Sequence, residues 1–313
     1  MSFEFSDFAA QIKAGRDVSA RDTLGLRQWA WANGAICENE ANGLFELNNL
    51  GKSPAREWVD FFVEAITEFV VNQQSPRGYV DGEKAAWLMA RIDHDGKVES
   101  LGELELLVKI VEDAMNAPAS LKDYALRQIE QVVLTGEGPT RTGDITPGRI
   151  DAAEVQLLRR LVFARGGDGA LKVSEAEAEM LFRLKDATLG ADNAPEWERL
   201  FVQGVGNFLM ANATYTPLDI EEARRLEGFM AHKGDGVFGF LSRMGRSLDA
   251  QGARDAVFDN DDLDEIAARE AALRNDARVT GIENAWLESR IAADGARDPM
   301  EAALLAFLAE SQD

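Results

Sequence analysis

Cysteine is almost absent from this 313-residue chain: Cys37 is the only one. No internal disulfide can form, and a lone thiol fits a reducing compartment. Histidine is nearly as scarce, with only His94 and His232, and neither stands in a zinc-type pair spacing. No phosphate loop, dinucleotide fingerprint or nucleophile elbow occurs, and Cys37 has no partner motif for covalent catalysis. These absences point away from an enzyme. Basic residues are outnumbered, 33 lysines and arginines against 55 aspartates and glutamates, for a net charge of −22. A surface so acidic repels nucleic acid and anionic lipid. No stretch approaches the roughly 18 apolar residues of a membrane span, and the N-terminus lacks the basic and apolar regions of a signal peptide. The expectation is a cytoplasmic protein with no direct membrane insertion.

What the chain does contain is helix punctuation. Ser100-Leu-Gly-Glu103, Asp151-Ala-Ala-Glu154, Ser174-Glu-Ala-Glu177 and Thr280-Gly-Ile-Glu283 have the capping-box form. In that form a polar side chain accepts from an orphan N–H of the new helix while the acid reaches back. Ser53-Pro54 and Thr216-Pro217 put proline where a helix begins and its missing donor costs nothing. Trp58, Phe61, Phe62, Ala65, Ile66, Phe69 and Val70 follow helical spacing as one stripe. Strict two-residue alternation is missing. The fold class expected is all-α.

Two segments match without a gap. Residues 80–96 and 279–295 share Val80, Gly82, Ala86, Trp87, Leu88, Arg91, Ile92, Asp95 and Gly96, where composition predicts about one identity. Glu57, Trp58, Phe62, Val63 and Phe69 match Glu196, Trp197, Phe201, Val202 and Phe208 at one offset. This order implies two tandem helical bundles related by internal duplication. The expected organisation is an N-terminal segment 1–17, a first unit 18–134, a turn-rich linker 135–148, and a second unit 149–313 carrying an insertion at about 231–278. Trp58, Trp87, Trp197 and Trp286 read as core anchors. Phe3, Phe5, Phe8 and Ile12 read as a segment packed back on the first unit.

A smaller pattern recurs inside each unit: a helix, an Asx-Gly corner, and a second helix begun by glutamate. The corners are Asn33-Gly34, Asp95-Gly96, Asp168-Gly169 and Asp294-Gly295, and the glutamates are Glu40, Glu103, Glu177 and Glu301. Such corners are expected to throw carboxylates outward. Asp93-His-Asp-Gly-Lys-Val-Glu99 resembles part of a calcium loop. With Gly96 as its sixth position, Asp93, Asp95 and Val98 fit, but Arg91 and Gly102 stand at the first and twelfth. The candidate ligands for a hard cation, Ca2+ or Mg2+, are therefore Asp93, Asp95, Glu99 and Glu103, with Asp168, Glu177, Asp294 and Glu301 at the other corners. A second acidic cluster, Asp255, Asp259, Asp261, Asp262, Asp264 and Glu265, lies in the insertion. The competing reading makes all these acids helix caps on a solvated face.

The half-unit resembles the tellurite-resistance TerB-like domain, which has a helix, an Asp-Gly-x-Ile-Ser-x-x-Glu-type loop, a long central helix and a second such loop. Asn33-Gly-Ala-Ile-Cys-Glu-Asn-Glu40 follows that loop with asparagine for aspartate, and Asp294-Gly-Ala-Arg-Asp-Pro-Met-Glu301 keeps its spacing without the aliphatic residue. Asp95 to Glu103 has one residue more and Asp168 to Glu177 two. The resemblance implies an all-helical, non-enzymatic module whose acidic loops bind divalent cations and which works with a protein partner in stress or metal-ion resistance. Two other readings stay open: a purely structural interaction scaffold without metal, and a hydrolase using clustered acids.

Overall fold

The computed structural model describes residues 5–50, 55–73, 75–93, 98–141, 146–166, 172–210, 220–221, 223–224, 281–291 and 297–310. Ser53-Pro54, His94, Asp95, Asp168, Thr216-Pro217, His232, Asp294 and the whole of 231–278 lie outside them. The helices are α1 (Phe5–Lys13), α2 (Ala20–Ala30), α3 (Glu38–Leu50), α4 (Arg56–Thr67), α5 (Gly82–Ile92) and α6 (Leu101–Asp113). They continue as α7 (Ala119–Thr135), α8 (Ala152–Val162), α9 (Glu175–Ala187), α10 (Glu196–Met210), α11 (Gly281–Ile291) and α12 (Pro299–Glu310). A π-helical turn, Glu68–Asn72, extends α4. No strand occurs among the described residues; Tyr79 and Asn116 make one isolated bridge. The protein is all-α.

The caps account for where helices begin. Ser100, Asp151 and Ser174 each accept from the backbone N–H three residues on, and Glu103, Glu154 and Glu177 return the bond. Ser19 and Asp22 form a further box at α2; aspartate there is a shorter stand-in for the expected glutamate. Helix α7 ends on Gly136 at φ 73, the left-handed cap that glycine adopts without strain. A Cβ there would also meet the Thr146–Pro147 backbone at 2.8 Å. The chain then turns, and Gly148 N–H donates to the Val133 carbonyl.

Core formation follows the apolar stripes. Trp58, Phe61, Phe62, Ala65, Ile66 and Val70 are all buried. Phe8 and Ile12 of α1 are buried, and Phe5 stacks on Trp29 at 4.4 Å. The tightest helix pairs are α4 with α6 and α10 with α12, and α7 and α8 pack between them. One apolar cluster runs without a break from Phe8 to Leu308, so the turn at 135–148 does not separate two cores.

Two aromatic networks repeat one pattern of ring contacts. Phe45, Phe62, Phe69 and Trp87 form one ring network: Phe45–Phe62 at 5.1 Å, Phe45–Trp87 at 5.7 Å and Phe69–Trp87 at 5.3 Å. Phe182, Phe201, Phe208 and Trp286 form the other, at 5.1, 5.5 and 4.9 Å for the matching pairs. Aligned from Cys37 and Ser174, α3 and α9 share Glu38 with Glu175, Glu40 with Glu177, Ala41 with Ala178, Leu44 with Leu181, Phe45 with Phe182 and Leu47 with Leu184. Edge-to-face ring pairs add about 0.5–1.5 kcal/mol each beyond their buried area.

Candidate functional site

Glutamate at the third helical position was expected to face solvent at each corner. The structure turns it inward at three of the four corners, while Glu40 is half-buried and accepts from Cys37 N–H at 2.7 Å. Glu103, Glu177 and Glu301 are 3%, 3% and 0% exposed, and Glu154, the acid of the Asp151 capping box, is 0% exposed. Each spends one carboxylate oxygen on its own cap and the other on a distant element. Glu103 accepts from Asn48 Nδ2 at 3.1 Å, and Glu154 accepts from Thr140 and from Arg141 at 2.8 Å. Glu177 pairs with Lys122 at 2.7 Å and Glu301 with Lys185 at 2.6 Å. The cause is the cap itself: the reach back to the N-cap N–H aligns the carboxylate along the first turn, which here packs against the core. These glutamates thus link neighbouring helices. Asp93 lies beside the Tyr124 hydroxyl, which burial, then the charges of Asp93 and Glu103, push up to about 12. Glu99 is exposed at the start of the α6 loop. Among the described residues no three His, Cys, Asp or Glu side chains converge as a metal site.

Lys185, which stands in no sequence motif, is 1% exposed and ion-pairs with Asp298 at 2.5 Å, Glu301 at 2.6 Å and Asp186 at 2.8 Å. Burial alone would pull this ammonium down. Hydrogen bonds that it donates to the three carboxylates outweigh burial and hold the pKa above the ordinary lysine value. Burial also opposes the charge on Asp298, yet Lys185 and the Glu301 and Met300 N–H groups keep that carboxyl below its usual range. Asp298 is the N-cap of α12, accepting from Glu301 N–H at 3.0 Å. The readable signal was Asp298-x-x-Glu301, the same box spacing as Ser100-x-x-Glu103.

A hollow of about 1260 Å3 forms a groove along α4 and α6. Its two walls follow from helical spacing. Arg56, Asp60, Glu64 and Glu68 repeat every four residues on the face of α4 opposite the Trp58 stripe. Leu101, Glu105, Lys109 and Asp113 repeat likewise on α6. The floor is Val59, Val63, Thr67, Gly102 and Asn48. At Gly102 an added Cβ would sit at ordinary contact distance from Val59, 3.4 Å. The groove carries seven carboxylates, counting Glu99 and the buried Glu103, against Arg56 and Lys109. Both cations already face groove acids, Asp60 at 3.9 Å and Asp113 at 2.8 Å. From outside, Arg27 grips Glu64 with two bonds at 2.7 and 2.5 Å, and Arg160 spans Glu105 and Glu112. The hydrogen bonds from Arg27 hold the Glu64 carboxyl below its usual value. Thr67, 3% exposed, leaves its hydroxyl without a partner. Leu101 is 47% exposed at the rim.

Among the described residues, the corresponding place in the second half is occupied. At the positions of Thr67 and Lys109 stand Gly206 and Phe307, and the Phe307 ring lies where a Cβ on Gly206 would be, at 2.6 Å. Arg199, Gln203 and Asn207 replace Asp60, Glu64 and Glu68. One half presents a charged groove; the other fills it with an aromatic ring. No family model, curated protein or solved structure matches this chain. No helix among the described residues is long and apolar enough to cross a membrane.

Proposed function

We propose that this chain is a non-enzymatic helical interaction module, built by duplication of one unit, whose first half receives a basic segment of a protein partner in the α4–α6 groove. The observation that carries this reading is the groove's lopsided charge on a partly apolar floor, with Leu101 at its rim. A lysine- or arginine-bearing segment meets Glu68 and Glu99 directly and competes with Arg56 and Lys109 for Asp60 and Asp113. The surface pairs that Arg56 and Lys109 now make are exposed and weak enough to be exchanged. Thr67 would supply an unused hydroxyl at the floor. The matched ring networks and the α3–α9 identities support the duplication. A single cysteine supports a cytoplasmic setting.

This reading is favoured over a divalent cation sensor, because Glu103, Glu177 and Glu301 are engaged as inward caps. The resemblance to TerB-like domains ties the cation reading to metal-ion stress, and calorimetric titration of chelated protein with Ca2+ and Mg2+ tests it directly. The groove is tested with a lysine-rich helical peptide. Binding should weaken with added salt as charges are screened, and the double variant Asp60→Lys/Glu68→Lys should abolish it. Charge reversal at the exposed Glu198 of α10 should leave it intact. Equal losses in the two variants would show attraction to overall charge and sink the groove.

A further inference from the structure

The acidic groove has a direction, and its uncommitted charges stand near its two ends. An added Cβ on Gly102, at the start of α6, would lie 3.4 Å from Val59, at the start of α4. At the far end, Gly78 N–H donates to the Val71 carbonyl and Met115 N–H to the Gly78 carbonyl, both at 2.7 Å. The two helices therefore run side by side in the same direction. Asp60, Glu64, Glu105 and Asp113 each face an arginine or lysine, and Glu103 closes its own cap. Glu68 and Glu99 meet no cation among the described residues; Glu68 accepts from Asn72 Nδ2 at 2.8 Å.

Glu99 lies three residues before Gly102, and Glu68 nine residues beyond Val59. At about 1.5 Å of rise per residue, the two acids stand roughly 18 Å apart along the groove. The ground between them is apolar at its floor, where Val59 and Val63 are half-buried, and at its rim, where Leu101 is 47% exposed. Thr67, directly before Glu68, is 3% exposed, lines the groove and keeps its hydroxyl unpartnered. The walls are helices whose backbone groups are spent on their own bonds. An extended segment laid between them finds no backbone partners, whereas a helix arrives with its own backbone satisfied.

We infer that the groove takes an amphipathic helix of a partner protein, with two basic residues three turns apart and apolar side chains between them. Eleven residues of helix span about 16–17 Å and return to the same face, so one cation meets Glu99 and the other meets Glu68 beside the Thr67 hydroxyl. The apolar side chains lie over Val59 and Val63. This inference rests on the proposal that the groove receives a basic segment, and adds to it the shape and spacing of that segment.

The test is calorimetric titration of the whole protein with two synthetic peptides of one composition, each with two lysines in a leucine–alanine–glutamine background. In one the lysines are eleven residues apart, the helical match. In the other they are five apart, which spans about the same distance in an extended chain. The eleven-spaced peptide should bind more tightly. Glu68→Gln and Glu99→Gln should each weaken it by about two- to fivefold, and Thr67→Val by about two- to tenfold. Replacing one peptide lysine by glutamine should make one of the two glutamate variants silent and leave the other costly. Equal binding of the two peptides, or tighter binding of the five-spaced one, overturns the helix and leaves the groove standing. So does binding of a lysine-rich peptide where neither two-lysine peptide binds. If the lysine-rich peptide also fails to bind, the groove itself is lost.

Discussion

Asn48 and Lys185 occupy the same place in the two halves, on the helix that feeds the central aromatic stripe, and each bonds to the cap glutamate of the helix packed across it. They differ in what else they can do. An amide both donates and accepts, so Asn48 bonds Glu103 with its nitrogen and takes the Trp58 indole N–H on its oxygen at 3.4 Å. An ammonium only donates. Lys185 gathers three carboxylates, and the Trp197 indole N–H beside this position is buried with no acceptor. The first half solves its core with a neutral network around one carboxylate. The second solves it with a buried ion cluster and leaves one donor unmet. Buried charge clusters are weak sources of net stability but lose heavily when one member is removed. The cluster joins α9 to the start of α12, elements separated by more than a hundred residues of chain.

The sharpest break of that contrast is Lys185→Met. It strands Asp298 and Glu301 without their cation and should cost about 3–5 kcal/mol in denaturant unfolding. Asn48→Leu, which keeps the Glu103 cap, should cost about 1–3 kcal/mol; equal losses would end the distinction. Next come the glutamates. Glu301→Gln weakens a charged hydrogen bond and should cost about 1.5–3 kcal/mol at neutral pH, whereas Glu103→Gln keeps a competent cap and should cost nothing measurable.

The pH dependence has opposite signs at Glu103 and at Asp298. Burial raises the Glu103 carboxyl, so its contribution is full below the ordinary value of 4.5 and is lost as pH rises through the folded value. Asp298 is held below 3.8, so its contribution is present above that value and is lost as pH falls through the folded one. Followed from neutral into acid, the melting temperature of Glu103→Gln should fall progressively below that of the parent protein, whereas the deficit of Asp298→Asn should close. A smaller effect separates the tryptophans. Trp58→Phe loses a hydrogen bond that Trp197→Phe does not, so it should be worse by about 1 kcal/mol. Smallest is Arg290→Ala, whose half-exposed pair with Glu179 should be worth under about 1 kcal/mol in thermal unfolding.

Helix positions were legible because their signals are local. Cap residues, proline and the Trp58–Val70 stripe act within a turn or two, so the chain states them without reference to its neighbours. The Ser19–Asp22 box went unread because aspartate is the shorter variant, and Asp298–Glu301 because a proline and a methionine intervene. The candidate site was less legible. Acids at corners look alike in sequence whether they turn outward or inward, and direction depends on what packs against the first turn. The corner aspartates Asp95, Asp168 and Asp294 lie outside the described residues.

By itself, the sequence determined the all-helical class, the helix starts and the matching order of the tryptophan segments, since each rests on spacing along one chain. Tertiary structure decided the partners: that Glu103 meets an amide and Glu301 a lysine, and that Phe307 fills one groove. Such choices depend on residues up to 116 positions apart in the chain. No local periodicity carries that information, because charge, burial and hydrogen bonding are settled only when the helices pack.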